Sequence, residues 1–323
     1  MRRKKQRTGA DAVRKDAWKG RDVISILDFS RSELESLFAL ADTFVAGPAA
    51  RRDLSQKIVA TAFFEPSTRT RLSFTTAALR LGAKVIDLSP DVSSMLKGES
   101  LHDTTMMLDG YADLIVLRHP SEGAALLASE ITSLPVINGG DGSQHHPTQA
   151  MLDLFTVRKI KGRVDGLTYA VMGDIRYGRS ATSFLYGLTR YRPKKVHVIS
   201  PESLRPRGEV VKALKGLGLK FDQHSDIQEV MADSDVIYLT RIQKERFPDP
   251  NDYEKVKGSY KLTREMATKA KPGSIIMHPL PRMTELPYQV DSLKAAAYMR
   301  QAHWGVPLRM AILSKVMGGG HAG

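Results

Sequence analysis

The 323-residue sequence is 42% hydrophobic and 26% charged, enough apolar material for a packed core, which excludes wholesale disorder. It has no cysteine, so disulfide frameworks, thiolate zinc sites, iron–sulfur clusters and cysteine nucleophiles are excluded, and no apolar run approaches the roughly 18 residues of a membrane span. The net charge of +13 raises a nucleic-acid reading, yet residues 1–20 hold eight Lys/Arg against two Asp, so nearly half of the excess sits at one end.

Residues 1–19 read as a basic flexible tail. It lacks the apolar run of a secretory signal, and two aspartates with no serine make a poor transit peptide. A solvated extension and a binding arm both remain open for it. Beyond the tail, short apolar runs rich in β-branched residues alternate with helical patterns. Strands are expected at 57–64, 84–88, 113–117 and 135–138, then at 168–173, 195–199, 235–240 and 274–277. Helical patterns follow at 69–81, 101–111, 146–161 and 179–191.

Alternating strand and helix argues for parallel sheets covered on both faces. The eight strands fall into four and four, separated by the helix at 146–161 and the polar turn at 162–166. The expected fold is therefore α/β, two doubly wound parallel-sheet domains with the active site in the cleft between them. One domain takes residues 20–161, the other 162–289, and a C-terminal helix at 290–317 crosses back to complete the first. Ligands of such domains lie at the carboxyl ends of the strands. No repeat of 20–50 residues is visible.

The first strand runs into Glu65-Pro66-Ser67-Thr68-Arg69-Thr70-Arg71. Ser67 or Thr68 can cap the helix that follows, and a helix N-terminus with hydroxyls and an arginine suits an anion. A plain cap beside surface arginines explains the same residues. Gly173-Asp174-Ile175-Arg176-Tyr177-Gly178-Arg179 also joins a strand to a helix, but it lacks a Gly-x-Gly-x-x-Gly fingerprint and carries no dinucleotide argument.

The run Ser67-Thr68-Arg69-Thr70-Arg71 resembles the carbamoyl-phosphate signature of the aspartate and ornithine carbamoyltransferases. The resemblance continues through Lys97-Gly98-Glu99-Ser100, Arg118-His119-Pro120, His146-Pro147-Thr148-Gln149, Arg241 to Arg246, and His278-Pro279-Leu280-Pro281-Arg282. It spans about Trp18 to Met317. Members acting on ornithine carry a His-Cys-Leu-Pro sequence where this chain has His278-Pro279-Leu280-Pro281, so it is similar to the aspartate branch. The charges agree, since Arg179 stands at one strand end and Arg241 and Gln243 at another, whereas an ornithine side chain calls for an acid.

The resemblance implies carbamoyl transfer from carbamoyl phosphate to the α-amine of L-aspartate, as in pyrimidine synthesis. It implies Ser67, Thr68, Arg69, Thr70 and Arg118 as phosphate ligands, and Thr70, Arg118 and His146 as donors to the carbonyl oxygen. Gln149 and the Pro279 and Leu280 carbonyls would hold the carbamoyl nitrogen and the attacking amine. Arg179, Arg241 and Gln243 would bind aspartate, Glu65 and Arg246 would pair across the closing cleft, and Arg309 also has a match. Lys97 and Ser93, for which Ser94 is the alternative, would enter the site of a neighbouring chain, implying a homotrimer. Leu96 stands where many members have a second lysine. No cofactor, metal, nucleic acid or membrane is expected at this cytoplasmic site. Some members bind a zinc-bearing regulatory chain, and the sequence leaves that open.

Overall fold

The computed structural model describes residues 18–47, 54–89, 93–244, 247, 249–258 and 260–318. The first helix, α1 (Arg31–Ala46), starts at a capping box in which the Ser30 and Glu33 side chains each bond the other's backbone N–H. It buries Leu34, Leu37, Phe38, Ala41 and Phe44, one stripe at helical spacing. There follow β1 (Ile58–Phe63), α2 (Thr68–Arg80), β2 (Lys84–Leu88), α3 (Leu101–Asp109), β3 (Leu114–His119), α4 (Ala124–Ile131) and β4 (Val136–Asp141). After α5 (Pro147–Lys161) come β5 (Thr168–Met172), α6 (Arg179–Leu188), β6 (Lys195–Ile199), α7 (Gly208–Gly216), β7 (Asp222–His224) and β8 (Val236–Leu239). The chain ends through α8 (Pro250–Val256), α9 (Arg264–Thr268), β9 (Ile275–Met277) and α10 (Tyr298–Met317).

Among the described residues these strands form two sheets, parallel throughout, in the orders β2-β1-β3-β4 and β7-β6-β5-β8-β9. Central strands are covered by helices on both faces, so β5 and β8 are buried along their whole length while edge strand β2 is not. Strand order reverses beside β1 in the first sheet and beside β5 in the second, and such switch points open the crevices that hold ligands.

Helix α5 joins the two sheets and is buried from Pro147 to Val157. One apolar cluster runs from Val59 and Val116 of the first sheet through Leu154 and Phe155 of α5 to Tyr169 and Val171 of the second. Helix α10 packs against α1, α2 and α5.

The structure departs from the expected elements in three places. Residues 291–297 are not helical, because Ala295 O accepts from Ile276 N at 2.7 Å and Ala297 N donates to Ile276 O at 2.8 Å, tying that segment beside β9. The C-terminal helix therefore begins at Tyr298. A ninth strand, β7, is present; three polar residues at a sheet edge carry no apolar period. Trp18, expected to belong to the loose tail over 1–19, is instead buried and its ring stacks on Phe29 with centroids 4.4 Å apart. Residues 1–17 and 319–323 lie outside the described residues.

Candidate active site

The carboxyl ends of the two sheets enclose a cavity of about 710 Å³, a volume typical of small-molecule sites. Its first wall is the N-terminus of α2. Ser67 occupies the N-cap in an extended conformation but its side chain makes no capping hydrogen bond, contrary to the expected cap, so the first-turn N–H groups are left to a ligand. Ser67, Thr68, Arg69 and Thr70 all line the cavity. Burial, and then the nearby positive charge of Arg241, hold the Arg69 guanidinium below its ordinary range.

Arg118 is the penultimate residue of β3; its Nη1 donates to Gly139 O at 3.2 Å and its Nη2 lies 3.1 Å from Glu65 Oε2. The same carboxylate oxygen accepts from Arg179 Nη2 at 2.7 Å. Arg179 opens α6 on the opposite wall, and its Nη1 donates to Gly142 O at 2.8 Å. Glycine is required at position 140 for this approach: its φ is +116°, and a Cβ there would lie 2.9 Å from the Arg179 guanidinium carbon. Glu65 thus holds one arginine from β3 and one from α6.

His146 caps α5 just ahead of Pro147, and its backbone N–H donates to Ser183 Oγ at 2.9 Å. Its imidazole is buried, with Nδ1 lacking a hydrogen-bond partner in the protein. Burial first, then the charges of Arg179, Arg118 and Arg309, push its pKa well below the ordinary histidine value. The ring is neutral at pH 7.

One turn on, Gln149 Nε2 donates to Asp153 Oδ1 at 2.7 Å. Asp153 also accepts from Gln301 Nε2 at 2.6 Å and Tyr238 Oη at 2.8 Å, and burial raises its pKa to about 7 against those bonds and the charge of Arg309. Gln301 in turn accepts from His278 N at 2.9 Å, and His278 Nδ1 accepts from Leu280 N at 2.8 Å. These bonds hold the Pro279-Leu280 corner at the cavity, where Leu280 has a φ of 59° and precedes a cis Pro281. Arg309 is buried beside the cavity with its guanidinium 5.1 Å from the Phe74 ring centre, and burial pushes its pKa down to about 10.

Arg241 and Gln243 follow β8 and complete the second wall. The structure thus brings Glu65, Ser67 to Thr70, Arg118, His146, Gln149, Arg179, Arg241, Gln243, Pro279, Leu280 and Arg309 to one cavity. Ser93 and Lys97 are not among its lining residues: Ser93 is buried at the start of the short 3₁₀ turn Ser94–Lys97, and Lys97 is exposed. Arg246 lies outside the described residues. Sequence reading missed Asp153 and Gln301. Asp153 stands four residues after Gln149 on one helix face, a readable signal, whereas Gln301 has none. Among the described lining residues the one carboxylate is Glu65, already shared by two arginines, so the donor set suits anions and not a metal cation.

Two family models match the chain: residues 21–159 match the carbamoyl-P binding domain of aspartate/ornithine carbamoyltransferase, and residues 165–316 match its Asp/Orn binding domain. The chain belongs to the aspartate/ornithine carbamoyltransferase family. Within this carbamoyltransferase family it is 56% identical to the aspartate carbamoyltransferase catalytic subunit of Hyperthermus butylicus, over 93% of this chain and 97% of that one. It is similar to the catalytic subunit of M. jannaschii aspartate transcarbamoylase, with 46% identity, a TM-score of 0.84 and coverage of 94% and 100%. It also resembles Trypanosoma cruzi aspartate transcarbamoylase in complex with carbamoyl phosphate and aspartate, with 36% identity, a TM-score of 0.90 and coverage of 94% and 98%.

Proposed function

We propose that this carbamoyltransferase moves the carbamoyl group of carbamoyl phosphate to the α-amine of L-aspartate, giving N-carbamoyl-L-aspartate and phosphate, the step that feeds pyrimidine synthesis. The observation that carries the reading is the convergence of Arg69, Arg118, Arg179, Arg241 and Arg309 on one cavity; beyond burial, their charges hold down Arg69, through Arg241, and His146, through Arg179, Arg118 and Arg309. Two polyanionic substrates relieve that repulsion.

The phosphate sits on the N-terminus of α2, held by Ser67, Thr68, Arg69 and Thr70 with Arg118 from β3. Thr70, Arg118 and neutral His146 donate to the carbonyl oxygen as charge develops on it. The amine nitrogen attacks the carbonyl carbon, the carbon–oxygen bond to phosphorus breaks, and the departing phosphate accepts the amine proton. Glu65 cannot serve as that base while it is bound to two guanidiniums. Gln149 and the Pro279 and Leu280 carbonyls orient the carbamoyl nitrogen and the amine. Arg179, Arg241 and Gln243 take the aspartate carboxylates, which favours a dicarboxylate over ornithine. Glu65 with Arg179 and Arg246 then holds the cleft closed.

Residues 20–161 with the C-terminal helix form the carbamoyl-phosphate domain, and residues 162–289 form the aspartate domain. The enzyme is a cytoplasmic homotrimer in which Ser93 and Lys97 complete the neighbour's site. Support comes from Lys97 facing solvent in its own chain, and from exposed Leu72, Leu96, Met106, Met107 and Tyr111 on the same domain. The reading is tested by incubating the protein with carbamoyl phosphate and either aspartate or ornithine. Carbamoyl-aspartate is expected and citrulline is not; citrulline, or neither product, overturns it.

A further inference from the structure

Away from the cleft, the second sheet carries a cluster that carbamoyl transfer does not use. β6 and β7 pair in parallel, with His197 opposite Asp222 and Ile199 opposite His224. Opposed residues, and residues two apart on a strand, share a sheet face, so His197, Asp222 and His224 gather on one side of the sheet edge. His197 Nδ1 lies 2.9 Å from His224 Nε2, and ligand atoms of all three residues lie within 4.8 Å of one another. On the far side of its ring, His224 Nδ1 is 2.8 Å from Glu229 Oε2 of the 3₁₀ turn Ile227–Glu229.

We propose that His197, Asp222 and His224 bind a divalent transition-metal ion of the Zn²⁺ type, with Glu229 orienting His224. Two imidazoles and one carboxylate are the donor set of such ions, and a tetrahedral ion at about 2.0–2.1 Å from each nitrogen needs the pair roughly 3.3 Å apart. The observed 2.9 Å is a few tenths of an ångström short. A carboxylate on the second nitrogen of a ligating histidine fixes its tautomer and raises its basicity, and Glu229 stands in that position.

The charges agree with a cation. Asp222, Glu229 and Asp233 stand near the pair, and Lys195 is the cation that pairs with Asp222. Lys195 lies 3.4 Å from Asp222, but both side chains are more than half exposed, so the pair is weak and the carboxylate can be exchanged to a metal. The ion would staple the three-residue edge strand β7 to β6. None of these residues lines the cleft, so the proposal stands apart from the carbamoyl-transfer reading.

The test uses the full-length, untagged, metal-stripped protein titrated with Zn²⁺ by calorimetry and with Co²⁺ by visible absorption. One ion per chain is expected, with the d–d bands of a tetrahedral Co²⁺ site. His224→Gln abolishes binding, and Glu229→Gln weakens it by about 10–100-fold. The melting temperature of the parent protein rises with Zn²⁺, and that of His224→Gln does not. Circular dichroism verifies the fold of each variant, and Asp222→Asn, at an exposed side chain, serves if a histidine variant does not fold. A parent protein that takes up no Zn²⁺ at tens of micromolar overturns the proposal, as do His224→Gln and Asp222→Asn variants that bind with unchanged affinity.

Discussion

Arg179 Nη2 lies 2.7 Å from Glu65 Oε2, an ion pair that joins the start of α6 on one wall of the cleft to the loop after β1 on the other. Only 4% of the Arg179 side chain is exposed, so the pair is screened little by solvent. Breaking a buried pair leaves an uncompensated charge and costs on the order of 3–5 kcal/mol. Glu65→Ala is expected to release both arginines and misplace the aspartate ligands, lowering kcat/KM for aspartate by about 100-fold. Steady-state kinetics should show Glu65→Asp recovering part of that loss. Equal kinetics in Glu65→Ala and the parent protein would show that the pair has no part in closing the cleft.

His146 is predicted to donate a hydrogen bond from a neutral ring. Its removal in His146→Ala should lower kcat by about 10²–10³-fold with a smaller change in KM. The depressed pKa also links to stability. The folded chain binds fewer protons at His146 than the unfolded chain, whose ring titrates near 6.5, so the stabilisation is complete above that pH and is lost as the pH falls below it. Thermal melts of His146→Gln between about pH 7.5 and pH 5.5 should therefore decline less steeply than those of the parent. Parallel declines would contradict the assignment.

Asp153 has the opposite sign. Its folded pKa of about 7 stands above the ordinary 3.8, so its stabilising contribution is full below pH 3.8 and is lost as the pH rises through 7. Asp153→Asn removes the buried charge while retaining a side chain that Gln149, Gln301 and Tyr238 can reach. The melting temperature of this variant relative to the parent is expected to move in its favour from about pH 5 to pH 8. A difference independent of pH would show that the carboxyl does not titrate in that range.

The legible and illegible parts of the molecule divide along physical lines. Strands such as β1 and β5 announce themselves because both faces are buried and nearly every residue is apolar. β7 is a short polar edge held by β6, and a pattern reading has nothing to detect there. Residues 291–297 contain helix formers, yet backbone bonds to Ile276 decide their conformation, which is a tertiary effect. In the cavity, Ser67 to Thr70 were readable because they open a helix straight after a strand, and Arg118 through the family resemblance. Gln301 was not, since its link to Asp153 crosses 148 residues of sequence.

Shared sites predict complementation between inactive proteins. In the proposed trimer, Arg69→Ala would disable a chain's own phosphate cradle, and Lys97→Ala would disable what that chain lends to its neighbour. Each pure protein should be nearly inactive. Unfolding and refolding the two together should restore measurable activity, because some hybrid sites then carry both native residues. A mixture no more active than its components would rule out a site built from two chains.

The reaction itself is tested most directly by isotope labels on the two reacting atoms. With ¹³C-carbamoyl phosphate and ¹⁵N-aspartate, NMR of the product should show a one-bond ¹³C–¹⁵N coupling, because the aspartate amine becomes bonded to the carbamoyl carbon. Coupling that appears with ¹⁵N-ornithine instead, or ¹³C released only as bicarbonate, would contradict aspartate carbamoylation in this cleft.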